Sequence, residues 1–192
     1  MVHSARGIIK QALSQRSMFT AAPKAGCIFS GVIVPVFQKD GADHILLIKR
    51  SDTLSRHAGQ MAFPGGVKDA GDTSILQTAL RETHEELGIA GQDIDILGEL
   101  DPVMTSLNFM ITPFVAAIPH PYIYRASLDE VSEIVEVPVA TLLNKANFYV
   151  EKREYNSKLI DSYVYDYNGR IIWGATARIV RQLLSLAYEK GN

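Results

Sequence analysis

The chain contains 192 residues, of which 47% are hydrophobic and 21% charged, and its formal net charge is −2. This length and composition favour one globular domain with a sizeable core. The small net charge provides no field that would indicate a nucleic-acid or membrane partner. Cys27 is the only cysteine, so the sequence excludes an internal disulfide framework and a multi-cysteine zinc site. We therefore expect a reduced, intracellular chain.

Residues 1–25 form a segment without acidic side chains, since the first acidic residue is Asp40. We predict a short helix at residues 4–16 that packs on the domain. Its inward side chains would be Ile8, Ile9 and Leu13. Acid-poor leaders with Arg and Ser also occur in mitochondrial transit peptides, so the mitochondrial matrix is the alternative to a cytoplasmic location. The longest apolar run, residues 27–37, is far shorter than the about 20 residues that a membrane span needs.

Residues 28–37 and 44–50 are apolar, β-branched runs separated by a turn, and they predict two strands. A loop rich in Gly and polar residues follows from Ser51 to Gly71. Loops of this length are usually functional or disordered. The aromatic side chain of Phe63 and the Pro-Gly-Gly turn after it favour a functional loop.

Residues 73–87 predict an amphipathic helix. Its apolar stripe consists of Leu76, Leu80, Thr83 and Leu87, which recur at spacings of four, three and four. Asp72 is the predicted N-cap, and Gly88 is the predicted stop. The sequence therefore delimits this helix at both ends.

Three carboxylates crowd the last turns of this helix, those of Glu82, Glu85 and Glu86. Like charges one turn apart destabilise a helix by a few tenths of a kcal/mol, and the negative end of the helix dipole adds to the cost. A solvated surface face is the simplest explanation, but a bound cation would neutralise the cluster. Mg²⁺ prefers such oxygen ligands. Arg81, four residues before Glu85, can pair with that carboxylate and orient the cluster.

The remaining chain predicts strands at residues 94–100 and 111–119, and a strand that turns into a short helix at residues 133–143. Asn168-Gly169 lies between two β-rich runs and predicts a hairpin. The last predicted element is an amphipathic helix with Ile179, Val180, Leu183, Leu184 and Ala187 inward. Helices and strands do not alternate strictly, which indicates an α/β sandwich with a mixed sheet.

The carboxylate helix resembles the box of the Nudix hydrolases, G-x5-E-x7-R-E-U-x-E-E-x-G-U, where U is a bulky apolar residue. Residues 81–89 match its second half in order, with Thr83 at a bulky apolar position. Gly66 and Asp72 take the places of the first Gly and Glu, although eight residues separate Asp72 from Arg81. The resemblance implies an α/β/α sandwich, with residues 26–192 as one Nudix domain and residues 1–25 as a helical segment packed on it.

Residues 46–66 resemble the motif of the Nudix coenzyme A pyrophosphatases, L-L-T-x-R-[SA]-x3-R-x3-G-x3-F-P-G-G. The matching positions are Leu46, Leu47, Arg50, Ser51, Gly59, Phe63, Pro64, Gly65 and Gly66. Ile48 stands where Thr is usual, and Ser55 stands where Arg is usual, with Arg56 one residue later. The run "IIWGATARI" near the C-terminus looks like the same subgroup.

The resemblance implies Mg²⁺- or Mn²⁺-dependent hydrolysis of coenzyme A or an acyl derivative to 3′,5′-ADP and 4′-phosphopantetheine or its acylated form. It implies that Glu82 and Glu86 are the main metal ligands and that Glu85 is a further ligand. Glu85 is also the first candidate for the proton acceptor. The reserve candidates are Glu130 and Glu133.

The 3′-phosphate of coenzyme A requires basic groups, which Arg50, Arg56 and His57 can supply together with Lys49. Gly65 and Gly66 would let the backbone approach the ligand closely, and Phe63 either lines the pocket or anchors the loop. Two alternatives remain: a Nudix hydrolase of another compound, such as ADP-ribose, and an inactive domain that senses a nucleotide. The sequence leaves open the preferred derivative and whether the chain forms a homodimer.

Overall fold

The computed structural model describes residues 5–16, 26–155 and 158–189. Its helices are α1 (Ala5–Ser14), α2 (Ile75–Leu87), α3 (Val139–Leu143) and α4 (Gly174–Ala187). Its strands are β1 (Ile28–Lys39), β2 (Ala42–Arg50), β3 (Met61–Ala62), β4 (Gly65–Val67), β5 (Asp95–Glu99), β6 (Val103–Met104), β7 (Phe109–Ala117), β8 (Val131–Pro138), β9 (Phe148–Tyr155), β10 (Lys158–Tyr167) and β11 (Arg170–Trp173). Residue 4 of the first predicted helix and residues 17–25 lie outside the described residues.

The larger sheet is mixed. Its central strand β1 runs parallel to β7 and antiparallel to β2 and β4. Strand β5 belongs to the same sheet, and β8 pairs with β2 at the edge. A smaller antiparallel sheet has the order β11-β10-β9. The predicted α/β class with a mixed sheet is therefore confirmed. No helix in the described part of the chain combines the length and hydropathy needed to cross a bilayer.

The strands β1 and β2 separate along their length, and the loop between residues 51 and 71 enters the opening. Residues 36–39 of β1 pair with β2, whereas Ser30–Val32 pair with β4. Gly65 has a φ of 144°, and a Cβ there would lie 2.6 Å from Val32 Cα. Only glycine fits this conformation and this approach, so β4 can lie directly against β1.

Helix α2 lies close against β1. A Cβ added to Gly31 would lie 2.9 Å from Ile75 Cγ2, so the glycine permits this approach. Ser74 is the N-cap, because its hydroxyl oxygen accepts a hydrogen bond from the Gln77 N–H at 3.1 Å. The predicted N-cap Asp72 is thus wrong, since its carboxylate is bound by Arg81. The predicted stop is confirmed, with Gly88 at a φ of 68°.

The buried face of α2 differs from the predicted stripe. Its buried residues are Thr78, Ala79, Thr83, Glu86 and Leu87, whereas Leu76 and Leu80 are only partly buried. Small side chains are needed where the helix touches β1 at Gly31. The helix is therefore rotated relative to the predicted stripe, and this rotation turns Glu86 inward.

Helices α1 and α4 cover the other face of the sheet. One hydrophobic cluster joins Ile9 and Leu13 of α1 to Ile179, Val180, Leu183 and Leu184 of α4. The predicted packing of α1 is confirmed for Ile9 and Leu13. It is wrong for Ile8, which is exposed, and Ala187 is only partly buried.

Two local predictions in the C-terminal half are confirmed. Strand β8 continues directly into α3. Asn168 and Gly169 have positive φ angles and join β10 to β11, with Tyr167 paired to Arg170.

Candidate active site

Glu86 lies in the last turn of α2 and is buried, with only 2% of its side chain exposed. One carboxylate oxygen accepts a hydrogen bond from the Gly65 N–H at 2.9 Å. Arg50 Nη1, at the end of β2, lies 3.7 Å from the other oxygen. Burial raises the pKa of Glu86 to about 8, although Gly65 and Arg50 both favour the charged form. The protein alone therefore compensates this carboxylate incompletely.

Glu82 lies one turn before Glu86 and is partly buried over the same glycines. A Cβ added to Gly66 would lie 2.5 Å from Glu82 Oε2. The Glu82 carboxylate therefore occupies the space that a side chain at position 66 would fill. Burial raises the pKa of Glu82, and the nearby Arg81 opposes this shift. Gly65 and Gly66 at the start of β4 thus hold two carboxylates of α2, one through a hydrogen bond and one through close packing.

Arg81 binds three carboxylates. Its Nε and Nη2 donate to Asp72 at 3.1 and 3.0 Å, and its guanidinium also contacts Glu82 at 2.9 Å and Glu85 at 2.8 Å. The Thr78 hydroxyl and the Asp69 N–H donate to Asp72 as well. The guanidinium holds the pKa of Asp72 well below its usual range. Asp72 therefore positions Arg81, and through it the glutamates.

We expect Asp72→Asn to lower kcat by about 10- to 100-fold, the usual effect of losing a group that orients metal ligands. The substitution removes the charge that fixes Arg81 but keeps the shape of the side chain. Steady-state kinetics of the purified variant measure the effect. Asp69→Asn is the matched control, because the exposed Asp69 carboxylate accepts from the neighbouring Ala70 N–H and does not bind Arg81. Equal rates for the two variants would contradict the assigned role of Asp72.

Glu85 does not join Glu82 and Glu86. Its side chain is 52% exposed and is bound to Arg81 Nη1. Within residues 5–16, 26–155 and 158–189, no three acidic, histidine or cysteine side chains form a group that could hold a metal ion. The structure thus brings together two of the three glutamates that the sequence predicted as ligands.

The two reserve proton acceptors lie in different environments. The charge of Glu130 raises the pKa of both Glu82 and Glu86, so its carboxylate lies near this pair. Its carbonyl accepts from the Ser51 N–H at 2.8 Å. Glu133 instead pairs with Arg170, whose Nε lies 3.2 Å from each carboxylate oxygen. Of the two reserve candidates, Glu130 lies at the site.

The predicted substrate-binding residues are spread along the loop. Arg50 lies at the site, as its contact with Glu86 shows. Phe63 is only 4% exposed and belongs to the main hydrophobic cluster, so burial favours its interpretation as an anchor. Arg56 and His57 are exposed, and His57 contacts Gln60 through Nδ1 at 3.0 Å.

Two residues that the sequence did not reveal as part of the site hold the end of α2. The Ser127 N–H donates to the Glu86 carbonyl at 2.9 Å, and the Arg125 N–H donates to the Leu87 carbonyl at 2.8 Å. These bonds satisfy carbonyls that a helix end leaves unpaired. Backbone donors carry no side-chain signal in the sequence. Gly31 did carry a signal in the sequence, since a glycine inside a strand pattern often marks the close approach of another backbone.

The donor chemistry of this site fits a divalent cation. Glu82 and Glu86 offer carboxylate oxygens beside Gly65 and Gly66 of β4, and burial leaves the charge of Glu86 without full compensation. Hard cations such as Mg²⁺ bind through one or two carboxylates together with substrate phosphates. Fold and site together define an α/β protein with an acidic site suited to phosphate chemistry.

The sequence match identifies the family. The NUDIX domain matches residues 29–156, and the chain belongs to the Nudix hydrolase family. A protein of Photorhabdus laumondii is 39% identical over 157 residues, which cover 80% of this chain and 82% of that protein. A protein of Cronobacter sakazakii is 38% identical over 164 residues, which cover 84% and 83%. Both are named uncharacterized Nudix hydrolase NudL.

Solved structures support the fold. A MutT/nudix family protein from Enterococcus faecalis superposes with a TM-score of 0.56 at 16% identity, over 92% of this chain and 66% of that one. The NUDIX domain of Shewanella oneidensis NrtR, complexed with ADP ribose, gives 0.50 at 20% identity, over 69% and 84%. As a member of this family, the chain is a hydrolase of a nucleoside diphosphate derivative, and such enzymes generally use a divalent cation.

Proposed function

We propose that the chain hydrolyses the pyrophosphate bond of coenzyme A or an acyl-CoA to 3′,5′-ADP and 4′-phosphopantetheine or its acylated form. The support is the resemblance of residues 46–66 to the coenzyme A pyrophosphatase motif. One structural observation strengthens it: both ends of the loop in this motif contact Glu86, Arg50 at one end and Gly65 at the other. The loop that would select the substrate is thus fixed to the carboxylate helix.

In this proposal, Glu82 and Glu86 hold Mg²⁺ or Mn²⁺, with Glu85 as a further ligand or the proton acceptor. A bound cation neutralises charge on the pyrophosphate oxygens and lowers the pKa of a bound water. Arg81 orients Glu82 and Glu85, and Arg50 offers a cationic donor to a phosphate oxygen. Glu130 competes with Glu85 as proton acceptor because it lies near the Glu82–Glu86 pair.

The rest of the chain supports this site in the same proposal. Residues 26–192 act as one hydrolase domain, and residues 1–25 act as a helical segment packed on it. Arg56 and His57 meet the 3′-phosphate from the exposed part of the loop. The named relatives are bacterial, which favours a cytoplasmic location and lends no support to the mitochondrial alternative.

ADP-ribose is the second candidate substrate. The NrtR domain that shares this fold was solved as a complex with ADP ribose. In this chain Ser55 stands where the coenzyme A motif has Arg, with Arg56 one residue later, so the match to that motif is incomplete. An inactive sensing domain is less favoured, because Glu82, Glu85 and Glu86 are all present.

The test is hydrolysis of coenzyme A, acetyl-CoA, 3′-dephospho-CoA, ADP-ribose and diadenosine polyphosphates at one Mg²⁺ concentration, with products separated by chromatography. We expect 3′,5′-ADP from coenzyme A, slower cleavage of 3′-dephospho-CoA, and no turnover by Glu86→Gln. Faster cleavage of ADP-ribose or a diadenosine compound would overturn the substrate and leave the metal helix intact. Absence of turnover for the whole panel would favour the sensing domain.

A further inference from the structure

An open cavity of about 590 Å³ lies beside the C-terminal end of α2. This volume falls within the roughly 300–1,000 Å³ that is typical of small-molecule sites. His84 of α2 forms one wall, and it lies two residues from both Glu82 and Glu86. Two residues correspond to about 200° around a helix axis, so the cavity and the carboxylate pair lie on different sides of α2. The remaining walls are Gly88, Pro121, Tyr122, Ile123 and Arg125.

The walls of this cavity are held in place by the protein itself. The Tyr122 hydroxyl accepts a hydrogen bond from the Ala90 N–H at 3.1 Å and donates one to Asp93 at 2.9 Å. The stem of Arg125 packs against the backbone of Gly88, where an added Cβ would lie 2.8 Å from Arg125 Cβ. The ring of Tyr122 and the stem of Arg125 are therefore fixed before a ligand binds, which lowers the entropic cost of binding.

The polar side chains of the cavity suit an anion. Among the described residues, the structure records no ion pair and no side-chain hydrogen bond for the Arg125 guanidinium. His84 donates through Nδ1 to the Ile89 carbonyl at 3.2 Å, so Nε2 is the ring nitrogen that a ligand can contact. The nearby Asp93 carboxylate is already hydrogen-bonded to Tyr122. Arginine binds phosphate through two parallel N–H donors, and a histidine beside it adds a third group.

The other walls of the cavity are apolar. Ile123 is 87% exposed, Pro121 is exposed next to it, and the ring of Tyr122 completes this side. Covering exposed apolar surface is favourable, in proportion to the area removed from water. A phosphate ion would leave these walls uncovered, whereas a ligand with a flat apolar body would cover them. The cavity therefore favours a phosphate ester over phosphate itself.

The segment that carries these walls also holds the end of the carboxylate helix. The Arg125 N–H donates to the Leu87 carbonyl at 2.8 Å. The Ser127 N–H donates to the Glu86 carbonyl at 2.9 Å, and the Glu130 N–H donates to the Ser127 carbonyl at 3.0 Å. A ligand that holds Arg125 would therefore restrict the backbone that is bonded to the last turn of α2.

We propose that this cavity binds an organic phosphate with a flat apolar body, of the size of a nucleoside monophosphate, and that the bound ligand stabilises the hydrogen bonds at the end of α2. Arg125 binds the phosphate together with His84, and Tyr122 and Ile123 contact the apolar body. Binding needs neither a metal ion nor hydrolysis. The proposal is therefore independent of the proposed function.

Isothermal titration calorimetry of the full chain tests the site, with a chelator present to suppress metal-dependent binding at the carboxylate pair. The probes are adenosine 5′-monophosphate (AMP), adenosine, benzoate and inorganic phosphate. We expect AMP to bind with a Kd below about 1 mM. The other three probes should bind at least about 10-fold more weakly, since each lacks either the phosphate or the apolar body.

Two variants locate the bound AMP. Arg125→Gln should weaken AMP binding at least about 10-fold, and it retains the backbone N–H that is bonded to α2. Arg50→Gln removes the cationic group beside Glu86 and should leave the affinity unchanged. Lys10→Gln is the matched control for net charge, because Lys10 is an exposed cation of α1 on the other face of the sheet, and it should leave the affinity unchanged too.

Hydrogen exchange measured by NMR reports the effect on α2. With AMP at ten times its Kd for the wild type, the amides of Arg125 and Ser127 should exchange up to about 10-fold more slowly. At the same AMP concentration, Arg125→Gln should show at most about 2-fold slowing, because its site is only half occupied.

Four results would overturn the proposal. Absence of AMP binding at about 10 mM would show that the cavity takes no such ligand. AMP binding that Arg50→Gln abolishes and Arg125→Gln leaves intact would place AMP at the carboxylate pair. Phosphate or benzoate that binds as tightly as AMP would exclude a phosphate ester as the preferred ligand. Unchanged exchange at Arg125 and Ser127 with AMP bound would show that the ligand does not act on the end of α2.

Discussion

Glu86→Gln is expected to unfold at a higher temperature than the wild type when metal is removed by a chelator at pH 9, although the same change abolishes hydrolysis. Burial raises the pKa of Glu86 from 4.5 to about 8. A group with a raised folded pKa contributes its full stability below the unfolded value and loses it as pH rises through the folded value. At pH 9 the wild type therefore buries an ionised carboxylate.

The size of the effect follows from the shift. One pKa unit corresponds to about 1.4 kcal/mol, so the ionised Glu86 destabilises the metal-free fold by a few kcal/mol. For a domain of this size, that difference moves the unfolding temperature by about 5–10 °C. Glutamine keeps the acceptor for the Gly65 N–H and carries no charge, so it avoids this cost.

Circular dichroism melts between pH 4 and 9 measure the difference. The gap between Glu86→Gln and wild type should be near zero at pH 4 and should grow as pH rises to 8. Glu85→Gln is the matched control, because its side chain is half exposed and bound to Arg81. It should give no such gain. A wild type that is more stable than Glu86→Gln at pH 9 would contradict the expectation that the ionised Glu86 destabilises the metal-free fold.

Added Mg²⁺ should reverse the order of the two proteins. A ligand that binds only the folded state stabilises it by mass action, and the ionised Glu86 is the form that binds a cation. Wild-type protein should therefore gain stability with Mg²⁺ at pH 9, whereas Glu86→Gln should gain little. Equal gains would place the cation away from Glu86.

Local signals in the sequence were sufficient where one residue decides the backbone. Gly88 ends α2 because glycine readily adopts the left-handed conformation. Asn168 and Gly169 form the hairpin turn for the same reason. These features depend on φ and ψ alone, so no knowledge of the packed structure was needed.

Side-chain roles that depend on distant partners could not be predicted in this way. Asp is a residue type that is preferred at N-caps, and only the folded structure shows that Arg81 binds the Asp72 carboxylate. The burial of Glu86 depends on how closely α2 approaches β1 at Gly31, which the spacing of leucines does not reveal. Glu130 reaches the site from a later loop.

The structure therefore brings part of the predicted site together, and the role of each residue in it stays a prediction. The helix spacing placed Glu82 and Glu86 one turn apart, and the structure seats both against Gly65 and Gly66, which lie in strand β4 and not in the predicted turn. Glu85 was grouped with them because it is adjacent in sequence. Successive residues of an α-helix are rotated by about 100° around its axis, however. Glu85 therefore lies on the exposed side of α2, where it contacts Arg81.

Gly66→Ala is expected to lower kcat/KM by about 100-fold while leaving the fold nearly as stable. The backbone of Gly66 does not need the left-handed region, and its added Cβ would lie 2.5 Å from Glu82 Oε2. The end of a glutamate side chain can move away at small cost to stability. A displacement of about 1 Å at a catalytic centre, however, can reduce the rate by about 10²-fold.

Two other glycines separate this effect from unfolding. Gly71→Ala adds a Cβ in open space, with no atom within 4 Å, so it should retain wild-type activity and melting temperature. Gly65→Ala meets the backbone of Val32 at a φ of 144°, so it should destabilise the fold as well. Kinetics and thermal melts of the three variants measure both quantities. If Gly66→Ala lost activity only in proportion to a loss of folded protein, Gly66 would be needed for packing alone. The position of the Glu82 carboxylate beside Gly66 would then not be needed for the reaction.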